Sequence, residues 1–225
     1  GIENNSGVSG IASIFESKII TKIQAFNNPF IKLIDATSTN KSTSSNNRSE
    51  VASRISEVTL YCNVSKFTYN KGSLVKTEKR GYLRKKVKVL NRETEEYEYK
   101  TQYDKVTYTE YTMKRDIDMA YTFKLVNNRT GEILTTASKS VYTKDEIHYA
   151  KYSGDRKNLV PGYWKDSKTS HPDDYISDRS NPIKKLNALL DARSQIKDYN
   201  TLSNEALTGA SDYISSEVND FVNEN

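Results

Sequence analysis

From Val58 to about Tyr152 the chain repeats one pattern: apolar or aromatic residues at every second position, broken by short polar knots. Side chains of an extended strand alternate between two faces, so a period of two commits this stretch to β-structure with one dry and one wet side. The segment YTFKLVNNRTGEIL, Tyr121–Leu134, is the clearest instance. Ile117, Met119, Tyr121, Phe123 and Leu125 share one face, while Asp116, Asp118, Thr122 and Lys124 share the other. Asn127, Asn128 and Gly131 tolerate the positive φ of a tight reversal, and Ile133, Thr135 and Ala137 resume the alternation, which predicts a hairpin.

Around this strand-rich middle lie helical patterns. Ile11, Ile14, Phe15, Ile19, Ile23 and Phe26 fall at helical spacing over 10–27, with Ser6 or Ser9 as a cap and Asn28-Pro29 as a stop. FIKLIDA, 30–36, reads as a short buried strand; 37–49 reads as a mobile polar loop, and 49–57 as a short helix. Residues 153–181 are irregular. Asn181-Pro182 opens a helix lined by Ile183, Leu186, Leu189, Leu190 and Ile196. A last helix over about 203–222 carries Leu207, Ala210, Ile214, Val218 and Phe221 as an amphipathic stripe. The expected architecture is α+β: a mixed or antiparallel sheet with long central hairpins, packed by an N-terminal helix and two C-terminal helices. We expect a single domain over 1–225 that includes a charged β-hairpin at 76–112.

Composition bounds the chemistry. Of 225 residues 35% are hydrophobic and 28% charged, and 16 tyrosines make up part of the apolar deficit. The net charge of +5 permits a nucleic acid, an anionic glycan or an anionic lipid as partner without selecting one. One cysteine, Cys62, excludes a disulfide within the chain and reads as a small buried hydrophobe. Gly1 in place of Met reads as the trimmed start of an exported protein.

No catalytic constellation stands out, and we expect no enzyme, no cofactor and no bound metal. His148 lies in a strand-like run. His171, Asp173 and Asp174, with Asp166, Asp178 and Trp164 nearby, form the one loop where a hard cation or a reaction centre is conceivable. The 76–112 hairpin has a basic arm with Arg84, Lys85, Lys86, Lys88 and Arg92, and an acidic arm with Glu93, Glu95, Glu96 and Glu98. Opposite charges facing across an antiparallel pair fix register, so the two arms are expected to neutralise each other. Tyr97, Tyr99, Tyr103, Tyr108 and Tyr111 interleave with lysines, a pattern that can stack on bases or sugars. The candidate interaction surface is Arg84, Lys85, Lys86, Lys88, Tyr97, Tyr99 and Tyr103.

The order of pieces carries a resemblance. An amphipathic helix leads to a segment closing on Ile34-Asp35-Ala36; a polar stretch with Arg48 and Glu50 follows, then VTLYCNVSKF, a strand pair turning at Asn127–Ile133 (NNRTGEI), and terminal amphipathic helices. This resembles the curli-secretion lipoprotein (CsgG-like) family, whose α/β core is similar to that of the TolB amino-terminal domain and of penicillin-binding-protein activator lipoproteins. The resemblance covers about 10–60 and 115–150 plus the last helix. It implies a non-enzymatic lipoprotein on the periplasmic side of a bacterial envelope, anchored to the outer membrane through a lipid absent from this chain. It also implies work in assembly or secretion through contact with other envelope proteins or with further copies of itself. The opening strand is reduced to Ile2-Glu3 and Ala36 stands where the family carries Arg. The 76–112 segment is dense in Lys, Arg and Glu, and charge on a lipid-facing strand costs about 2–4 kcal/mol per residue at mid-bilayer, so pore formation is not carried over. A different function class also fits the basic run 76–92 and its tyrosines: a module binding nucleic acid or an anionic glycan.

Overall fold

A computed structural model describes residues 1–34, 57–93 and 95–224. The sequence elements expected at 37–49 and 49–56, and the Asp35-Ala36 pair, lie outside the described residues. The chain is α+β; the described residues form three α-helices and a mixed seven-stranded sheet in the order β1-β2-β4-β3-β6-β7, β5 pairing with β4. In chain order these are β1 (Ile2–Asn4), α1 (Ile11–Ala25), β2 (Val58–Asn70), β3 (Val75–Leu90), β4 (Tyr97–Asn127), β5 (Ile133–Lys151), β6 (Leu159–Tyr163), β7 (Tyr175–Ile176), α2 (Ser180–Asp191) and α3 (Tyr199–Glu224). Contacts gather in two compact units. One holds 1–71, 116–144 and 197–225; the other holds 72–115 and 145–196.

The first unit is built on the alternation of β4. Ile117, Met119, Tyr121, Phe123 and Leu125 are all buried, on the face that their period of two assigns them. β2 runs antiparallel beside them, Leu60 opposite Leu125, Cys62 opposite Phe123 and Val64 opposite Tyr121. Between Val64 and Lys66 the register shifts. The bulge moves the buried set from even to odd positions, so Phe67 faces the core without breaking the strand. β1 pairs in parallel with β2, Ile2 opposite Cys62, and is a true strand despite its length. Cys62 is a free, buried thiol that burial pushes up to about 12, which suits a packing role rather than a reactive one.

Against this face pack α1 and α3. Ile11, Phe15, Ile19 and Ile23, four apart, form the buried stripe of α1, and Leu202, Ala206, Leu207, Ala210 and Ile214 form that of α3. Ile14 and Phe26 lie off the four-residue stripe and are half exposed. Neither Ser6 nor Ser9 caps α1. Gly10 occupies the cap in the left-handed region (φ 79°), and Ser6 instead bonds Asn4. The expected strand at 30–36 is not formed over its described part: among the described residues no strand pairs with it, and Phe30 is 81% exposed. At the β4–β5 turn only Gly131 takes positive φ. Asn127 acts through its side chain, accepting from the backbone N–H groups of Arg129 and Thr130.

The second unit rests on β3 and β4, antiparallel from Val75 opposite Thr112 to Leu90 opposite Tyr97. This is the 76–112 hairpin expected from sequence. β6 adds to β3 through Gly81, Tyr82 and Leu83 only. Glycines permit the close approach on both sides of β6: a Cβ on Gly81 of β3 would meet the Val160 carbonyl at 2.9 Å, and one on Gly162 would meet the Tyr175 carbonyl of β7 at 2.6 Å. Leu186 and Leu190 of α2 close a small core with Tyr108, Ala150 and Leu159. The 153–181 stretch, irregular by sequence, thus contains two short strands and a single 3-10 turn at Arg156–Asn158.

Candidate interaction surface

Strand parity decides what the β3–β4 hairpin displays. The register sets Arg84 opposite Tyr103, Lys86 opposite Thr101, Lys88 opposite Tyr99 and Leu90 opposite Tyr97. Directly opposed residues share a face, so Arg84, Lys86, Lys88, Tyr97, Tyr99 and Tyr103 stand together on one side of the ribbon. Lys85 is on the other side, where its ammonium meets the Asp104 carboxylate at 2.5 Å. That hydrogen bond holds the Lys85 pKa up and the Asp104 pKa down. The structure therefore assembles six of the seven residues singled out in the sequence and separates the seventh.

The face is graded. At its base Tyr103 donates its hydroxyl to Asp178, which raises the phenol pKa, and Arg84 reaches the same carboxylate at 3.4 Å. The Tyr82 ring meets Tyr103 edge-on at 6.5 Å. Towards the tip, Tyr97 and Tyr99 are 61% and 72% exposed, and Lys88 lies over the Tyr97 ring at 4.3 Å. An exposed cation–π contact of this kind contributes about 0.5–1 kcal/mol. β3 beyond Leu83 pairs with β4 alone among the described strand pairings, so the outer edge from Arg84 to Leu90 carries unladdered backbone groups.

The expected neutralisation of the basic arm by the acidic arm does not occur. Among the described residues no ion pair joins Arg84, Lys85, Lys86, Lys88 or Arg92 to Glu93, Glu95, Glu96 or Glu98. The reason is positional. The last opposed pair is Leu90 with Tyr97, so Glu93, Glu95 and Glu96 fall in the turn, past the end of the ladder, and Glu98 faces Val89. Glu98 accepts instead from the Asn91 side-chain amide at 2.8 Å. The ribbon is dipolar along its length, with lysines on the arms and carboxylates at the tip.

The remaining tyrosines of the run are structural. Tyr108 is buried, and burial lifts its phenol to about 12. Tyr111 stacks on Tyr149 at 4.8 Å.

The loop holding Trp164, His171, Asp173 and Asp174 is fastened internally. Lys105 donates to the carbonyls of Asp166 and Thr169 and to the Asp174 carboxylate, at 2.6–2.7 Å. Asp174 also accepts from the backbone N–H groups of Lys165 and His171. Its acceptor positions are committed to the fold, and His171 contacts Lys165 and its neighbour Asp173 at 3.2–3.3 Å. His148 lies apart from this loop along the chain, 3.2 Å from Glu110. Among the described residues no three His, Cys, Asp or Glu side chains gather as a metal-holding group.

The Lys105 hydrogen bond, seconded by the backbone donors, pulls the Asp174 carboxyl from 3.8 down to about 2. A carboxylate with a depressed folded pKa stabilises the fold above its unfolded value and loses that contribution as pH falls through the folded one. The loop is therefore expected to be intact above pH 4 and to loosen between 3.8 and about 2. Emission from Trp164, the only tryptophan and next to Lys165, should move in that window and be shifted upward in pH by Lys105→Met.

Arg80, Tyr163 and Tyr175, beside the same loop, were not singled out from sequence. They come together through pairings of two to three residues, too short to leave a periodic signal. Comparison with protein-family models and with curated proteins gives no match for this chain.

Proposed function

We propose that this chain is a non-enzymatic binding protein that works by protein–protein contact, with the β3–β4 ribbon as its contact surface. The observation that carries the reading is the single face on which Arg84, Lys86, Lys88, Tyr97, Tyr99 and Tyr103 stand together. Exposed tyrosines and arginine are the residue types that anchor protein interfaces. The free edge of β3 offers a partner strand its backbone, and the alternation of cationic arms with an acidic tip favours a partner of mixed charge over a polyanion. The resemblance to the curli-secretion lipoproteins supports a place on the periplasmic side of a bacterial envelope, in an assembly or secretion role, with other envelope proteins or a second copy as partner.

The nucleic-acid or anionic-glycan reading draws support from one finding, that the acidic arm leaves Lys86 and Lys88 without carboxylate partners among the described residues. It predicts affinity that falls steeply with salt. The carboxylates at the turn oppose it.

A photoreactive phenylalanine analogue at position 99, expressed in the native host, tests the leading reading. A discrete cross-linked protein is expected from position 99 and none from position 133, where Ile133 is also exposed, on β5. Equal yields from both positions, or nucleic acid as the only cross-linked species, would remove it.

A further inference from the structure

β6 follows β3 for three residues and then leaves it. Leu159, Val160 and Pro161 pair with Leu83, Tyr82 and Gly81, after which Gly162 and Tyr163 pair with Ile176 and Tyr175 of β7. Where the strands part, a cleft of about 620 Å³ opens between Glu78–Arg80 of β3 and the β6–β7 pair. That volume falls within the range of about 300–1,000 Å³ usual for small-ligand sites. It lies wholly in the second unit, before Arg84 along β3, and shares no lining residue with the ribbon display.

One wall is aromatic. The rings of Tyr163 and Tyr175 are near-parallel, 23° apart with centroids at 6.2 Å, and they remain 40% and 58% exposed. The outer ring of such a pair presents a flat apolar face to water, with its hydroxyl at the rim. The Tyr82 ring packs directly against Gly162 behind the wall, where an added Cβ would meet it at 2.7 Å.

The polar groups are also positioned. The Arg80 guanidinium lies 5.2 Å from the Tyr163 ring and 4.9 Å from the Trp164 ring, and its Nη1 donates to the Trp164 carbonyl at 2.6 Å. One of its five N–H donors is thereby spent on fixing the fork, and the others have no partner among the described residues. Glu78 shares the β3 face of Arg80 by parity, and its carboxylate likewise has no partner among the described residues. Ser177 adds a hydroxyl, its backbone tied to the Pro161 carbonyl at 2.8 Å.

We infer that this cleft is a binding site for a neutral oligosaccharide. A pyranose ring offers a C–H face that stacks on Tyr175, the more exposed ring of the pair, together with vicinal hydroxyls that both donate and accept. Glu78 takes the donated hydrogen bonds and Arg80 supplies the accepted ones. An anionic ligand is disfavoured, because Glu78 would face it, and the Lys79 ammonium is drawn 3.9 Å from Glu110. The site does not depend on the ribbon being a contact surface.

Saturation-transfer NMR with oligomers of glucose, of mannose and of N-acetylglucosamine, at millimolar concentration, tests the inference, with a heparin-derived oligosaccharide as the anionic arm. At least one neutral oligomer is expected to receive saturation at its ring C–H protons and to shift Trp164 emission. Tyr175→Ala and Glu78→Gln, both at exposed positions, should each weaken its Kd about tenfold at unchanged melting temperature, whereas Tyr99→Ala should leave it as it was. Saturation of no neutral oligomer, binding of the sulfated sugar alone, or binding that survives Tyr175→Ala would overturn the inference.

Discussion

Phe15→Ala is expected to cost the first unit about 3–5 kcal/mol, the range for emptying the site of a fully buried aromatic ring. Phe15 is 0% exposed and meets Tyr121 edge-on at 5.7 Å, so the substitution removes both buried area and a directed ring contact. It sits where the α1 stripe, the α3 stripe and the β4 face converge, which leaves little freedom for neighbours to collapse into the void. Hydrogen exchange reads the effect locally. Amides of 117–125 and 202–214 should exchange faster by about two to three and a half orders of magnitude, each factor of ten being about 1.4 kcal/mol. Phe15→Leu should recover more than half of the loss. Protection unchanged at Met119 and Leu207 would mean that α1 is not part of this core.

The second large effect is expected from Trp164→Ala. The indole is 9% exposed, donates to the Gly81 carbonyl at 3.1 Å and stacks on the Arg80 guanidinium. Its removal should destabilise the β3–β6 pairing by about 3–5 kcal/mol, for the same reason of cavity formation. The indole also anchors a loop that has little regular structure, so the consequence should extend to 165–176. Trp164→Phe keeps most of the ring and loses the donor. It should cost about 1–3 kcal/mol, the penalty of a buried hydrogen bond left unmade. Exchange rates at Tyr82 and Val160 separate the two variants. If both behave as wild type, the aromatic wall of the cleft is held by something other than Trp164.

How much of this was legible in the sequence depended on whether a residue's role follows from its immediate neighbours. The β4 face, the α1 and α3 stripes and the 76–112 hairpin are periodic features, and periodicity survives in one dimension. Phe67 faces the core only because a bulge at Ser65 resets the parity of β2, and nothing local announces a bulge. The pairing of the charged arms escapes a sequence reading for a related reason. Charge signs can be read from sequence, but whether Glu95 faces Lys86 depends on where the ladder ends, and the turn takes six residues, Asn91–Glu96. Of the ribbon residues named from sequence, six share one side of the hairpin and Lys85, at an odd position, stands on the reverse side. The cleft was invisible, because Arg80, Tyr163 and Tyr175 meet through strand contacts of only a few residues.

The parity of the ribbon has an evolutionary corollary. Losing or gaining one codon within Arg84–Leu90 would carry every later side chain of that arm through to the opposite side and scatter the tyrosine-and-lysine display at a stroke. Changes in arm length are tolerable only by twos. Homologous hairpins that preserve this surface should therefore differ from this one by even steps, and an odd step should mark a lineage in which the ribbon has been released from its task.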